Sequence, residues 1–415
     1  MLRGSVRVKL LHVTPPPTPP LTGSNIYLYH YLKRLSDRHE TRMIVMDDEG
    51  KPPATTDESL ADAGIVTEQL DVVTVPRRSA LSIAREALFS SRPPGVRFRE
   101  QNIGVRLKEL VDAAVAEWKP DVLVVWRANV ASILAETRGV PKTLYACDCM
   151  SMVWRSIAAH SRNPIQKAYG RVFAGRYVKY ERTVLPRYDE LVFIAQRDID
   201  HAHLPEGTSV SAIANGVDTE EFAPGRYAGH PPHPPRILHH GVFFTPANDH
   251  CARFILDEMG VQLEAELGPE GFEVRICGRD AKPGLLSRAC SRPWAKWLGY
   301  VDDLPAELAA GSVYVAPLAM GGGVKNKVLE AMASGLPIVG TTEAFSGLEV
   351  TAGVHVVSCP IGQVAKETAD LVRDAERRRR IGAAAREWVV GNASWESRCE
   401  ELETVLERCA RSRTK

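Results

Sequence analysis

The sequence predicts an α/β protein made of two doubly wound domains, each built around a mainly parallel sheet. The chain has 415 residues, which is too long for one ordinary core and suits two domains of roughly 200 residues each. Short apolar runs alternate with amphipathic stretches in both halves, as expected for repeated βα units. Residues 224–235 are rich in Pro, Gly and His without hydrophobic periodicity, which is typical of a linker.

The first half begins with a predicted strand at residues 6–13, followed by a proline-rich turn and Thr22-Gly23-Ser24. Ser24 is a candidate N-cap for a helix over about 25–35. Alternating apolar and amphipathic segments then predict strands at 41–46, 122–126, 143–146 and 191–194, and helices at 105–117 and 164–187.

Residues 50–104 are rich in Pro, Ser and Arg and show no clear period. Within them the Arg-rich, partly apolar stretch 81–98 is a candidate for contact with an anionic membrane or a lipid-phosphate acceptor. A solvated helix and loop is the alternative.

The second half predicts strands at 237–238, 274–277, 313–318 and 338–341, and a terminal helix over 395–411. The run Arg377-Arg378-Arg379-Arg380 is interpreted as a solvated helix face, with a polyanion site as the alternative.

The strongest functional signal lies between the predicted strands 313–318 and 338–341. It opens with Gly321-Gly322-Gly323, whose backbone can turn tightly and approach a ligand closely. A helix should follow as far as Ser334. Gly335 comes next and readily adopts the left-handed conformation that commonly ends a helix. Strand, glycine loop, helix and strand form a βαβ unit, and ligands of such sheets bind at the carboxyl ends of the strands.

The predicted helix carries Asn326, Lys327 and Glu330 on one face, because they lie three and four residues apart. Its first-turn N–H groups and the ammonium groups of Lys325 and Lys327 form a predicted anion site suited to phosphate. Glu330 lies one turn deeper, where a carboxylate can accept hydrogen bonds from sugar hydroxyls. The alternative is a glycine loop before an ordinary amphipathic helix with a solvated Lys-Glu face.

This unit resembles the C-terminal signature of glycosyltransferase family four, a large group of sugar transferases with the GT-B fold. Residues 327–333 followed by Gly335-Leu336-Pro337 match that signature almost residue for residue. The resemblance implies that Glu330 holds the nucleotide ribose and that nearby basic residues hold the diphosphate. Family members usually carry an acidic residue eight positions before this glutamate, where the chain has Gly322. Some exopolysaccharide-associated members share the glycine-rich form.

The resemblance implies two Rossmann-like doubly wound domains that face each other across a cleft. Residues 1–224 would form the acceptor-side domain and residues 225–393 the nucleotide-sugar-binding domain, with the helix at about 394–415 packing back on the first. It also implies that the loop containing Gly23 lies near the donor phosphate or the acceptor, with a surface turn as the alternative. The full set of implied binding residues is Gly23, Gly241, Val301, Gly322, Gly323, Val324, Lys325, Asn326, Lys327 and Glu330.

Asp148 follows the predicted strand 143–146, where many family members carry a histidine that touches the transferred sugar. A carboxylate there can stabilise an oxocarbenium-like sugar or steer the acceptor hydroxyl. The alternative is that Asp148 caps the following helix or ends the strand. Asp148, Lys327 and Glu330 are therefore the candidate catalytic residues.

The resemblance implies a retaining, metal-independent transfer from a UDP- or GDP-sugar to a glycan, lipid-linked or small-molecule acceptor. Lys325, Lys327 and the helix dipole can supply the charge that neutralises the diphosphate, so neither a metal nor a further cofactor is expected. Two alternatives remain: a sugar-nucleotide epimerase of the same fold, and a non-catalytic sugar-nucleotide-binding subunit. The lack of a GxGxxG motif disfavours a nicotinamide-dependent oxidoreductase.

The composition limits the partners and the location. The chain has 52 Lys and Arg against 51 Asp and Glu, so its net charge of +1 indicates no nucleic acid partner. Without a signal-peptide pattern or an apolar run of about 18 residues, we expect a cytoplasmic protein, with peripheral contact at the inner membrane face left open. The sequence does not predict an oligomeric state.

Cysteine and histidine spacing disfavours a metal site. The eight cysteines are scattered, which indicates reduced thiols, and Cys147 and Cys149 have no second ligand pair at suitable spacing. His239 and His240 are adjacent on a predicted strand, so their side chains point to opposite faces and cannot bind one metal together.

Overall fold

A computed structural model of the protein describes residues 7–18, 26–49, 55–79, 86, 90–160, 164–226, 232–319 and 324–412. The chain separates into two compact units. The first contains residues 1–214 and 398–415, and the second contains residues 215–397.

The first unit is built on a seven-stranded sheet in which every neighbouring pair is parallel. Its strands are β1 (Lys9–Thr14), β2 (Glu40–Asp48), β3 (Gln69–Val75), β4 (Val122–Val125), β5 (Lys142–Cys147), β6 (Glu190–Phe193) and β7 (Val210–Ala212). They lie in the order β3-β2-β1-β4-β5-β6-β7. The chain therefore changes direction across the sheet between β1 and β4, which is the topological switch point of this unit.

Helices connect these strands, as parallel pairing requires. They are Ile26–Arg38, Asp57–Asp62, Val96–Asn102, Gly104–Trp118, Ala131–Leu134, Met150–His160, Pro164–Thr183 and Gln196–His201, with 3₁₀ turns at Ala128–Val130 and Leu185–Arg187. Every residue of β4 and β6 is buried, which explains why β4 and the last three residues of β6 are continuous apolar runs rather than alternating ones.

The terminal helix Trp395–Ser412 belongs to the first unit from Arg398 onward. Arg408 donates to both carboxylate oxygens of Glu190, with Nε 2.6 Å from Oε1 and Nη2 2.7 Å from Oε2. Arg38 Nη1 lies 2.8 Å from Glu403 Oε2. A bidentate pair and a second ion pair thus fix this helix at two positions along its length.

The second unit is built on a six-stranded parallel sheet. Its strands are β8 (Arg236–His240), β9 (Glu273–Cys277), β10 (Ala295–Gly299), β11 (Val313–Ala316), β12 (Ile338–Gly340) and β13 (Val357–Ser358). They lie in the order β10-β9-β8-β11-β12-β13, so the switch point of this unit falls between β8 and β11.

The helices of the second unit are Pro246–Phe254, Gly260–Leu267, Pro283–Cys290, Leu304–Ala309, Asn326–Ala333, Val364–Arg373 and Ala375–Asn392, with 3₁₀ turns at Pro224–Arg226, Thr342–Phe345 and Ile361–Gln363. A π-helical segment, Ile255–Met259, joins the first two into one continuous helix. The next residue, Gly260, has no side chain, and this is required because a Cβ there would lie 2.1 Å from the Trp294 ring.

The α/β fold class with two doubly wound sheets is confirmed. The described residues of the segment 50–104, which gave no clear pattern, contain β3 and the short helices Asp57–Asp62 and Val96–Asn102. The first four residues of β3 are exposed or half-buried, so its alternation is confined to its end. The four arginines 377–380 lie in the helix Ala375–Asn392. No helix among the described residues is both long and apolar enough to cross a membrane.

Candidate functional site

The helix Asn326–Ala333 begins beside the switch point of the second sheet, in the connection between β11 and β12. Lys325 is its N-cap residue, and the apolar side chains Val328, Leu329 and Met332 are buried. Gly335 has a φ of 73°, the left-handed conformation predicted for the end of this helix. The preceding Gly321, Gly322 and Gly323 lie outside the described residues.

Lys327 points from this helix to the first turn of the helix Pro246–Phe254, which follows β8 and its loop. Its Nζ donates to Oδ1 of Asn248 at 2.5 Å, and Nδ2 of Asn248 donates to the carbonyl of Val242 at 2.9 Å. Burial lowers the pKa of Lys327 to about 8. The ammonium group is therefore held in place by the protein and is still mainly charged at neutral pH.

Gly241 brings the loop after β8 close to Lys327. A Cβ on Gly241 would lie 2.7 Å from Asn248 Nδ2 and 3.0 Å from Lys327 Nζ. Gly278, after β9, has a φ of 140°, and its Cβ would lie 1.8 Å from the carbonyl oxygen of Gly241. Glycine is required at Gly278 because no side chain fits between the two loops.

Glu330 is oriented by the last residue of β8. His240 Nε2 lies 2.7 Å from Glu330 Oε2, and His240 Nδ1 lies 3.2 Å from the hydroxyl of Tyr314. A carboxylate only accepts, so Nε2 carries the proton and Nδ1 accepts from Tyr314. Burial raises the pKa of Tyr314 well above its usual value, which keeps this hydroxyl a donor.

His239 lies on the opposite face of β8 and belongs to the core. Its Nδ1 lies 2.8 Å from the carbonyl oxygen of Val315. Burial, followed by the charge of Lys327, lowers the pKa of His239 well below its usual value, so the ring is neutral. Within the described parts of the chain, no three His, Cys, Asp or Glu side chains form a group that could hold a metal ion.

The other residues that were predicted to bind the nucleotide-sugar donor are more dispersed. Val301 follows β10, two strands away from β8 in the sheet, and is half-buried. Val324 is half-buried and packs against the core, and Asn326 is the first residue of the helix. Gly23, Gly322 and Gly323 lie outside the described residues. The structure thus brings Gly241, Lys327 and Glu330 together around the end of β8.

Asp148 lies at the carboxyl end of the first sheet. It follows β5, whose pairing with β6 is irregular near Cys147, a residue with a φ of 66°. The Asp148 side chain is exposed. Partial desolvation and the negative charge of Asp198 raise the pKa of Asp148, while Arg127 opposes the shift. Arg127, Asp148 and Asp198 follow the neighbouring strands β4, β5 and β6.

Other carboxylates satisfy the N–H groups at the start of the helix Met150–His160. Asp198 Oδ1 accepts from the N–H of Cys149 at 2.7 Å, and Glu181 Oε1 accepts from the N–H of Ser151 at 3.0 Å. Asp148 forms no hydrogen bond with any described residue. Its carboxylate therefore remains open to a ligand.

Sequence reasoning missed His240, Asn248 and Tyr314 as site residues, because their roles depend on contacts between distant elements. It also missed Asp198, although Asp198-Ile199-Asp200 is an Asp-x-Asp triplet. Both carboxylates of this triplet are engaged locally, since Asp200 Oδ1 accepts from Gln196 Nε2 at 2.9 Å.

Comparison with known proteins finds one family model that matches part of the second unit. Residues 234–377 match the model of glycosyl transferases group 1. This match confirms the resemblance found in the sequence. No curated protein matches the chain in sequence.

Solved structures match both units. HepE from Anabaena, in complex with UDP-glucose, has a TM-score of 0.63 at 14% identity, covering 97% of this chain and 100% of that one. Sucrose-phosphate synthase from Thermosynechococcus elongatus has a TM-score of 0.63 at 13% identity, covering 97% and 99%. A glycosyltransferase from Rickettsia africae has a TM-score of 0.60 at 12% identity, covering 97% and 98%. The chain has the GT-B fold of these proteins.

Proposed function

We propose that the protein is a retaining, metal-independent glycosyltransferase that uses a UDP- or GDP-sugar as donor. The observation that carries the proposal is the convergence of Gly241, Lys327 and Glu330 around the end of β8 in a group 1 glycosyltransferase domain. HepE, a protein of the same fold, was solved with UDP-glucose bound, which supports a nucleotide-sugar donor here.

Glu330 is the proposed ligand of the nucleotide ribose. Hydrogen bonding to His240 fixes the position of one carboxylate oxygen and leaves the other, Oε1, to accept from a ribose hydroxyl. Hydrogen bonds to a charged acceptor typically contribute about 1.5–3 kcal/mol each. Glu330 therefore supplies much of the selectivity for a ribonucleotide.

Lys327 and Lys325 are the proposed ligands of the diphosphate, together with the first-turn N–H groups of the helix Asn326–Ala333. When the bond between the anomeric carbon and the diphosphate oxygen breaks, its electron pair stays on the leaving oxygen. A half-buried ammonium group beside that oxygen stabilises the growing charge more strongly than one in open solvent, because less water screens it. No further cofactor is required for this step.

Asp148 is the proposed group on the acceptor side of the reaction. In a retaining transfer the acceptor hydroxyl attacks the face of the sugar from which the diphosphate departs, and its proton passes to the departing diphosphate oxygen. An open carboxylate can stabilise the oxocarbenium-like sugar or orient that hydroxyl. A glycan, a lipid-linked sugar and a small molecule all present such a hydroxyl, and we place the reaction in the cytoplasm, where nucleotide sugars are available.

The test is a donor screen followed by product analysis. UDP-, GDP- and dTDP-sugars are first ranked by the thermal stabilisation they give, since a bound ligand raises the stability of the folded state. The best donor is then incubated with the protein in the presence of EDTA, with and without sugar acceptors. Release of nucleoside diphosphate supports the proposal. Conversion to an isomeric nucleotide sugar would indicate an epimerase, and binding without turnover would indicate a non-catalytic subunit.

A further inference from the structure

The helix Pro164–Thr183, in the first unit, concentrates positive charge in a chain that is almost neutral overall. Its one acidic residue is Glu181, which is buried and accepts the N–H of Ser151. Its basic residues are Lys167, Arg171, Arg176, Lys179 and Arg182. The solvent face of this helix therefore carries cations without any carboxylate.

The same face exposes apolar side chains. Ile165 is 62% exposed and Val172 is 47% exposed. Ala168 and Gly175 are also exposed, and the spacing of three and four residues places all four on one side of the helix. The opposite side is buried and aromatic, with Phe173, Tyr177 and Tyr180 packed inward. We call the exposed set Ile165, Ala168, Arg171, Val172, Gly175, Lys179 and Arg182 the cationic face.

The cations of this face lack protein counterions. Among the described carboxylates, none forms an ion pair with Arg171, Lys179 or Arg182. Some exposed cations on other helices are paired within their own helix, such as Lys366 with Asp370 at 3.1 Å and Arg106 with Glu109 at 3.9 Å. The cationic face is thus available for an external polyanion.

The helix that carries the cationic face is packed firmly against its neighbour, Met150–His160. A Cβ on Gly170 would lie 2.8 Å from the backbone nitrogen of Ala158, so the two backbones cross in close contact. The Trp154 and Phe173 rings meet edge to face with their centroids 4.9 Å apart. The two helices present the cationic face as a rigid surface.

We propose that the cationic face docks on the surface of a lipid bilayer that contains anionic phospholipids. Cations flanking exposed aliphatic side chains are the pattern of a helix that lies in the interface, with the aliphatic groups below the headgroups. Anionic lipid attracts each basic side chain, while Ile165 and Val172 lose their contact with water. A nucleic acid would bind the cations through its phosphates and leave the aliphatic groups exposed, so it fits this face less well. The site differs from the stretch 81–98 that the sequence suggested.

The test is sedimentation of the full-length protein with phosphatidylcholine vesicles, with or without phosphatidylglycerol. The wild type should bind only the mixed vesicles, and less strongly at high salt. Each basic residue near an anionic surface increases the affinity for that surface roughly fivefold. Arg171→Glu/Lys179→Glu should therefore reduce binding by at least about tenfold. The matched control, Arg106→Glu/Lys366→Glu, makes the same change in net charge elsewhere and should bind like the wild type.

Val172→Ser tests the apolar part of the face, and it should weaken binding while it leaves the charge unchanged. Circular dichroism verifies that each variant is folded. Equal binding of the wild type to both kinds of vesicle would overturn the proposal. So would an equal loss in the control variant, or unchanged binding in Arg171→Glu/Lys179→Glu. Binding to heparin without binding to vesicles would indicate a soluble polyanion and would also overturn it.

Discussion

His240 Nε2 lies 2.7 Å from Glu330 Oε2, although the two residues are 90 positions apart in the chain. The contact joins the end of β8 to the helix Asn326–Ala333 across the switch point of the second sheet. The imidazole is itself held by the buried hydroxyl of Tyr314. One carboxylate oxygen is thereby fixed before any ligand arrives, which lowers the cost of ordering this group on binding.

Glu330→Ala should weaken nucleotide binding without unfolding the protein. The side chain is only half-buried, and loss of a hydrogen bond to a charged acceptor costs about 1.5–3 kcal/mol, or roughly tenfold to a hundredfold in affinity. Calorimetric titration with UDP and GDP measures the loss. Glu376→Ala, an exposed glutamate of the same unit, is the matched control. Wild-type affinity in Glu330→Ala would show that Glu330 does not bind the nucleotide.

The activity should fall above about pH 8. The pKa of Lys327 is lowered to about 8 by burial, and the proposed role requires its charged form. The value of kcat/KM should therefore decrease tenfold per pH unit on the alkaline side, since this parameter reports the free enzyme. Lys327→Arg keeps its charge at that pH, so whatever activity remains should lack this alkaline decrease. A decrease that persists in Lys327→Arg would assign the pKa to another group.

The lowered pKa of Lys327 also predicts how the free energy of unfolding changes with pH, which gives an independent check. The folded pKa of about 8 lies below the usual 10.5, so between these values the unfolded chain binds more protons than the folded one. The free energy of unfolding contributed by Lys327 should therefore rise with pH across this window. Lys327→Met should lack that rise in urea titrations at several pH values.

Asp148→Asn should reduce turnover by roughly 10² or more and leave donor affinity nearly unchanged. The substitution keeps the shape of the side chain and removes its charge, while Asp198 and Glu181 continue to hold the start of the helix Met150–His160. Single-turnover kinetics and donor titration separate the two effects. Wild-type turnover in this variant would make Asp148 a structural residue.

Gly278→Ala should disrupt the site and destabilise the second unit. The φ of 140° excludes a side chain, and the new Cβ would lie 1.8 Å from the Gly241 carbonyl oxygen. We expect a loss of at least about 1–3 kcal/mol, together with weaker nucleotide binding as the loop after β8 moves. Gly284→Ala is the control, because nothing lies within 4 Å of its Cβ. Equal melting temperatures for the two variants would contradict this account.

The sequence predicted the elements whose local patterns are strong. The helix around Lys327 and Glu330 ends at Ala333, one residue before the predicted end at Ser334. Gly335 takes the expected left-handed conformation, because such a residue after a helix has a clear local signature. Strand β3 was missed because its first four residues are exposed or half-buried, and only its last four residues alternate between exposed and buried. Strands β7 and β13, with three and two residues, are too short to show a period.

Only some residues of the site could be predicted from the sequence, because others are joined by contacts between distant parts of the chain. Lys327 and Glu330 could be found because they lie within one matched signature. Asn248 and His240 acquire their roles through packing of the β8 loop against the helix, and no local pattern encodes such a contact. From the sequence, a shared metal site of His239 and His240 was only excluded, whereas the structure shows His240 hydrogen-bonded to the carboxylate of Glu330.

The most direct test of the central claim is product analysis after incubation of the protein with nucleotide sugars in EDTA. The account predicts that one UDP- or GDP-sugar releases its nucleoside diphosphate, that a sugar acceptor accelerates this release, and that Lys327→Ala abolishes it. Full activity in the chelator would agree with neutralisation by lysine and the helix N-terminus. A dependence on divalent metal would contradict the proposed mechanism, and an isomerised donor in place of free diphosphate would contradict transfer itself.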